Sequence, residues 1–193
     1  MQNLTAVLPQ SIRSNDAISG KLVRVGLGTL FLTASSWVSI PTVPIPTTMQ
    51  TYAVLVIGAV FGARLGAVTV LAWLAEAMLG MPVLAHGAAG FAVFLGPSAG
   101  FLFSFPVAAA FVGWLADRKL DRSIAASALS MLAGNAINLS LGVLWLAAVV
   151  GWHRAVLFGF TPFWIGALIK AFLATATIWC VRNRRSKPAV QLP

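Results

Sequence analysis

The feature that most constrains this chain is a series of long apolar segments that carry almost no charged side chains. Residues 124–150, for example, contain no Asp, Glu, Lys or Arg, and a helix that spans a bilayer needs about 20 such residues. In the whole chain 59% of residues are hydrophobic and only 9% are charged, whereas an average soluble domain has about 25% charged residues. We therefore predict an all-α, polytopic membrane protein whose solvent is the lipid bilayer.

The apolar segments divide the chain into six predicted transmembrane helices. At roughly 20 residues for each span plus short loops, a chain of 193 residues accommodates about six spans. The predicted spans are 21–40, 48–61, 65–79, 97–116, 124–150 and 160–181. The domain organisation follows as a short, mobile cytoplasmic tail at 1–20, a six-helix transmembrane domain at 21–182 and a basic cytoplasmic tail at 183–193.

The distribution of basic residues predicts the orientation. The chain has 13 Lys and Arg against four acids, and most of the bases flank spans on one predicted side: Arg13, Lys21, Arg24, Arg64, Arg118, Lys119, Arg122, Arg182, Arg184, Arg185 and Lys187. The loops at 41–48 and 80–96 contain no Lys or Arg, and the third loop on their side contains only Arg154. By the positive-inside rule the N- and C-termini are cytoplasmic. Bases spread in this way do not form the single patch of a nucleic-acid-binding surface.

Two uncharged segments interrupt the regular pattern on the predicted outer side. Prolines at positions 41, 44 and 46 favour extended backbone. The span after them, 48–61, is only about 21 Å long, short of the ~30 Å hydrocarbon core. The loop at 80–96 is rich in glycine. Irregular backbone at membrane depth is tolerated where it lines a cavity, so we predict that both segments are partly inserted.

Two ionisable residues fall inside predicted spans, Glu76 and Lys170. A lysine near mid-span costs about 2.5–3.5 kcal/mol on insertion scales, so it should face the protein interior or a wet cavity. In one interpretation both residues line a polar pocket that opens outward, and Lys170 attracts an anionic group such as a carboxylate. In the other they form a structural pair that neutralises both charges.

Amide side chains supply a second set of candidates, namely Gln50, Asn135 and Asn138. An amide both donates and accepts hydrogen bonds, which suits a ligand with N–H and C=O groups. Hydrogen bonding between helices is the alternative. We favour ligand contact for Gln50 and interhelical bonding for the two asparagines, and we keep Asn135 as a candidate ligand contact.

No pattern in the chain indicates an enzyme, a cofactor or a metal site. Cys180 is the sole cysteine, and His86 and His153 have no acid nearby that would complete a metal site. There is no nucleotide-binding loop, dinucleotide fingerprint or catalytic triad motif. If the protein drives uptake, the energy must come from a partner or from an ion gradient. For His86 both a ligand contact and an ordinary exposed loop position stay open.

Several short motifs together resemble one known family. They are Pro-Thr-Thr-Met-Gln-Thr at 46–51, Gly-Ala-Arg-Leu-Gly-Ala at 62–67, Gly-Met-Pro-Val-Leu-Ala at 80–85, Gly-Ala-Ala-Gly at 87–90 and Leu-Gly-Pro-Ser-Ala-Gly-Phe at 95–101. In combination they resemble the BioY-type biotin-specific substrate-binding subunit (S component) of energy-coupling factor (ECF) transporters. The chain departs from that pattern at four positions: Ala167 replaces an acid, Phe101 replaces a tyrosine, and His86 and Ala89 replace glycines.

The resemblance implies a function. The family captures biotin from the outer side and releases it inward, in a bacterial plasma or inner membrane, together with an ECF transmembrane coupling subunit and two ATPase subunits. Biotin is then the transported ligand and no cofactor is expected. The residues that we predict to bind the substrate are Gln50, Glu76, Gly87, Gly90, Asn135 and Lys170. In biotin, the ureido ring would contact amide side chains, and the apolar ring and chain would contact Trp and Phe. The carboxylate of biotin would contact Lys170. A stand-alone secondary carrier or facilitator for a small organic anion is the alternative.

Overall fold

The computed structural model describes residues 10–41 and 45–186, and it is mostly helical. Five long helices and a one-turn helix α5 form the molecule: α1 (Gln10–Trp37), α2 (Gln50–Met78), α3 (Ala99–Asp117), α4 (Ile124–Val150), α5 (Trp152–Ala155) and α6 (Phe163–Ser186). Strands β1 (Ser39–Ile40) and β2 (Thr47–Thr48) pair antiparallel. Within the described residues, four helical segments are long and apolar enough to cross a membrane: 50–78, 99–117, 124–150 and 152–183.

The bounds of the predicted spans agree with those of the helices to within a few residues, except at α1, which is not among the four candidate spans. The six membrane crossings therefore stay a prediction. The span at 124–150 coincides with α4. Helix α1 begins at Gln10, so residues 10–20 are helical where we predicted a mobile tail, since no proline between 10 and 40 stops helical hydrogen bonding. The helix ends at Trp37 rather than at 40 because residues 39–40 pair as a strand.

Some predictions fall outside the described residues. The first part of the N-terminal tail, residues 1–9, lies there, as do residues 42–44 of the proline segment and residues 187–193 of the basic C-terminal tail. The paired strands lie on either side of the proline segment in the chain. Ser39 pairs with Thr48, and Ile40 pairs with Thr47.

Helix α2 is broken at Gly62 and folds back on itself. Gly62 has φ 80° and ψ 175°, a conformation that excludes helix and that L-residues rarely adopt. A Cβ on Gly66 would lie 3.1 Å from the Cα of Gly58, although residues eight apart in a straight helix are separated by about 12 Å. The halves, α2a (50–61) and α2b (63–78), therefore form a helical hairpin. Its turn is the Gly62-Ala63-Arg64 turn that the sequence predicts.

Helix α3 packs on this hairpin with almost no space between the backbones. A Cβ on Gly58 would lie 2.5 Å from the carbonyl oxygen of Ala109, and one on Gly113 would lie 2.4 Å from the carbonyl carbon of Gly62. At the end of α3, Asp117 Oδ2 accepts a hydrogen bond of 2.9 Å from the backbone N–H of Ala63. This carboxylate satisfies one of the free N–H groups at the start of α2b, where negative charge is also favourable.

The outer surface of the bundle is apolar, and its interior combines a hydrophobic core with a smaller set of buried polar side chains. On α6, Ile169 and Phe172 are 63% and 61% exposed, whereas Ala171 and Ala174 are buried. Leu129 on α4 is 67% exposed. Soluble monomers rarely expose contiguous apolar patches larger than a few hundred Å². Such a surface is stable in contact with lipid chains.

Candidate functional site

A cavity of about 300 Å³ lies at the end of the bundle where α3 begins. Its walls come from the first turns of α2a and α3, from the middle of α4 and from α6, and its mouth is formed by residues 45–48 and 84–88. Phe101, Phe105 and Phe163 make much of the wall apolar, and a few polar side chains interrupt it. A mostly apolar wall with a few polar anchors is typical of a small-molecule site.

Residues from both uncharged segments line this cavity. Trp37 Nε1 donates to the carbonyl oxygen of Pro82 at 3.3 Å. Ser39 Oγ and His86 Nδ1 lie 3.5 Å apart. His86 is both exposed and part of the cavity lining, with φ 56°. These contacts join the end of α1 and strand β1 to the 80–96 loop at the mouth.

The glycines of the 80–96 loop shape the mouth and do not line the cavity. Gly87 and Gly90 have φ of 73° and 86°, values that residues other than glycine rarely adopt. The Gly90 N–H donates to the carbonyl oxygen of Ala77 at 2.7 Å and ties the loop to the end of α2b. Neither residue is in the cavity wall. The observed role of both is in the backbone of the loop, and their ligand contact stays a prediction.

Lys170 is buried in the wall of the cavity without a partner. Its side chain is 7% exposed and lines the cavity. Among the described residues, none accepts a hydrogen bond from its ammonium group or pairs with it. A buried charge without a partner is costly unless another group satisfies it, so Lys170 is the strongest candidate for contact with an anionic ligand group.

Glu76 lies outside the lining of this cavity. It is half-buried near the end of α2b, outside the cavity lining, and it forms no ion pair with Lys170. The structural pair with Lys170 is therefore not formed, and Glu76 does not share the wall of this cavity with Lys170. A ligand contact for Glu76 stays a prediction. Hydropathy located both charges in spans, but the sequence does not say which spans adjoin.

Gln50 lines the cavity and its amide is held in place by neighbours. Thr48 Oγ1 donates to Gln50 Oε1 at 3.0 Å, and Gln50 Nε2 donates to Ser36 Oγ at 3.1 Å. Ser36 in turn donates to the carbonyl oxygen of Leu32 at 2.8 Å. An amide has two N–H groups and two lone pairs on its oxygen. Gln50 therefore retains one donor and one acceptor for a ligand, in an orientation set by α1 and β2.

The two asparagines of α4 have different roles. Asn138 lines the cavity, and its Nδ2 donates to the carbonyl oxygen of Phe101 at 3.1 Å and to Ser104 Oγ. Among the described residues, no donor meets its Oδ1. Asn135 lies outside the lining, and its Nδ2 donates to Met131 and Ala167 carbonyls at 3.3 and 3.2 Å. Asn135 thus joins α4 to α6, and Asn138, which we had set aside, is the better ligand candidate.

Other lining residues correct the expected composition of the site. Phe101 and Phe163 stack with their ring centroids 5.8 Å apart, whereas no tryptophan of the described chain lines the cavity. Thr51 and Ser98 line it too, and both lie in the motifs at 46–51 and 95–101. Membership of those motifs was the signal that could have found them.

Comparison with known proteins now identifies the family. The profile of the BioY family matches residues 7–187 of this chain. The chain belongs to the BioY family. It is 34% identical over 156 residues to "Biotin transporter BioY2" of Lactococcus lactis subsp. cremoris, covering 80% of this chain and 85% of that protein. It is also 34% identical over 155 residues to "Biotin transporter BioY" of Thermotoga maritima, covering 80% and 90%.

A solved structure supports the same assignment. The crystal structure of the S-component for biotin from an ECF-type ABC transporter superposes with a TM-score of 0.77 and 25% identity, covering 88% of this chain and 94% of that chain. The named relatives are transporters rather than enzymes. With its apolar helices, this BioY-family chain is a multi-pass membrane protein.

Proposed function

We propose that this BioY-family protein is the biotin-binding S component of an ECF-type vitamin transporter. The observation that carries the proposal is the buried, unpartnered Lys170 in the wall of an apolar cavity. Biotin combines a carboxylate for Lys170 with an apolar ring and chain for Phe101, Phe105 and Phe163. The N–H groups of the ureido ring can donate hydrogen bonds to Asn138 Oδ1. The carbonyl oxygen of the same ring can accept a hydrogen bond from the free N–H of Gln50.

The proposed topology is six transmembrane segments with both termini in the cytoplasm of a bacterial cell, and the cavity then faces outward. The six segments are α1, α2a, α2b, α3, α4 and α6. The charge cluster at 117–122 lies at the opposite end of α3 from the cavity, which supports this orientation by the positive-inside rule. Helix α2a is only about 18 Å long, and in this proposal the paired strands at 39–40 and 47–48 occupy part of the remaining depth.

The proposed partners are an ECF transmembrane coupling subunit and two ATPase subunits. This chain has no nucleotide-binding motif, so ATP hydrolysis would have to come from other subunits. Biotin itself is the ligand in this proposal, and no cofactor or metal is needed for capture.

Retention of labelled biotin tests the proposal most directly. We expect the purified protein, without ATP or an ion gradient, to hold about one biotin per chain, because all the ligand-contacting groups belong to this chain. The measurement is equilibrium dialysis in detergent, with excess unlabelled biotin as the control for specificity. Failure to retain biotin at micromolar concentration would contradict the proposal.

The alternative, a stand-alone secondary carrier for a small organic anion, differs in its energy source. In whole cells, uptake by a carrier stops when an uncoupler collapses the ion gradient while the ATP level is held constant. Uptake by the proposed ECF assembly continues under the same conditions and stops when the partner ATPases are inactivated.

The two asparagines of α4 offer a matched pair of variants. We expect Asn138→Leu to weaken biotin binding about tenfold, since an unpaired buried hydrogen-bonding group costs about 1–3 kcal/mol. Asn135→Leu should leave the Kd unchanged, because Asn135 lies outside the cavity. Both variants should lower the thermal midpoint, as each breaks bonds between helices. Titration calorimetry together with thermal unfolding separates the two effects, and equal affinities would remove Asn138 from the site.

A further inference from the structure

A second cavity, of about 240 Å³, lies at the opposite end of the molecule and is lined mainly by charged side chains. Its lining includes Lys119, Asp121, Arg122 and Arg182, with Ala116 from the last turn of α3. Along α3 the biotin cavity is lined as far as Phe105 and the second cavity by Ala116, and these positions are about 16 Å apart along the helix. The second cavity is therefore not part of the ligand site.

The charges around this cavity do not balance. Asp121 is 1% exposed and forms an ion pair with Arg182, which also donates to the backbone carbonyl of Asp121. Lys119 and Arg122 are both exposed, and neither side chain has a hydrogen-bond or ion-pair partner among the described residues. Two cations are thus left over beside an arginine whose position is held by a buried carboxylate.

Neighbouring residues indicate that the cavity lies at a membrane surface. Arg118 stacks on the ring of Trp114 at 4.4 Å, and Trp114 is 41% exposed. Exposed tryptophan rings and the apolar stems of arginine side chains are typical of the interface between lipid and water. Leu120 and Ile124, on either side of Arg122, are 55% and 52% exposed. They provide exposed apolar surface close in sequence to the cations.

We propose that this cavity binds the phosphate of an anionic phospholipid headgroup. Lys119 and Arg122 contact the phosphate, and Arg182 is the third donor, with Asp121 as its positioning residue. Charged hydrogen bonds from several cations to one phosphate are strong and directional, and basic pockets between transmembrane helices are a known means of lipid headgroup recognition. Leu120 and Ile124 contact the start of the acyl chains.

Native mass spectrometry with defined lipids tests the proposal on the full chain. Wild-type protein in detergent should retain phosphatidylglycerol but not phosphatidylcholine. The double variant Lys119→Gln with Arg122→Gln should bind phosphatidylglycerol at least about tenfold more weakly, since each removed cation loses a charged hydrogen bond. The matched control is Arg24→Gln with Arg64→Gln, which removes two exposed cations outside the cavity and should retain the lipid as wild type does.

Each other outcome would overturn the proposal. Equal lipid retention by wild type and by the Lys119/Arg122 variant would show that the cavity is not a lipid site. This conclusion would also hold if the variant retained the lipid but no longer assembled with partner subunits. An equal loss in the control variant would indicate general charge attraction. If inorganic phosphate raises the thermal midpoint as much as phosphatidylglycerol does, the site binds a soluble anion. Unchanged thermal midpoints of the lipid-free variants establish that they are folded.

Discussion

We expect Lys170→Met to lower the affinity for biotin at least about 30-fold without destabilising the protein. Loss of one partner from a buried charge pair costs about 2–5 kcal/mol of binding free energy, and Lys170 is the cation of the cavity wall. In the empty protein its ammonium has no partner among the described residues. Because a lysine within a span costs about 2.5–3.5 kcal/mol, methionine should leave the thermal midpoint unchanged or raise it.

Two comparisons make this prediction specific. Lys21→Met is the same chemical change at an exposed position of α1 outside the cavity, and it should leave the biotin affinity unchanged. Biotin amide lacks the negative charge, so Lys170→Met should weaken its binding much less than that of biotin. Equal losses for the two ligands would refute the carboxylate role and would point to the neutral ureido oxygen as the partner of Lys170.

The second large effect is expected at the packing of α3 on the α2 hairpin. We expect Gly113→Ala to lower the free energy of unfolding by about 3 kcal/mol, at the upper end of the usual cost of overpacking. The new methyl group would lie 2.4 Å from the carbonyl carbon of Gly62 and 2.5 Å from the nitrogen of Ala63. These are backbone atoms of the tight turn, and they cannot move aside as the end of a flexible side chain could.

Gly26→Ala is the matched control for that variant. Gly26 lies in α1, and a Cβ built there meets no atom within 4 Å. Alanine should therefore stabilise the helix by about 0.5–1 kcal/mol relative to glycine. Thermal unfolding in detergent, followed by tryptophan fluorescence, compares the two substitutions. Similar midpoints for both would contradict the close approach of α3 to the hairpin.

The helices themselves were predictable because hydropathy is a local property. In a bilayer every backbone polar group has to be satisfied within its own segment, so an uncharged apolar stretch such as 124–150 is read as a helix without knowledge of its neighbours. The same holds for the turn at Gly62, since glycine and a following charge interrupt two apolar stretches. The inward direction of Lys170 followed from the cost of exposing its charge to lipid.

The membership of the site was less predictable. Asn135 and Asn138 are only about 60° apart around their helix, and the rotation of α4 against α3 and α6 alone decides which of them meets the cavity. For Glu76 and Lys170, the order of the helices in the bundle decided that they do not pair. The cavity at Lys119 and Arg122 likewise depends on the approach of α6, through Arg182, to the loop that follows α3.

The sequence by itself thus determined the helical membrane class, the turn of the hairpin, the uncharged segments at the mouth and a buried lysine. Each of these follows from the free energy of transferring a short segment of chain into lipid. Only the tertiary structure decided that Gln50, Asn138 and Lys170 share one cavity while Glu76, Gly87, Gly90 and Asn135 lie outside its wall. The physical reason is that contacts between helices depend on how each helix is rotated about its axis and packed against its neighbours. Side chains that are far apart in the chain determine this packing together.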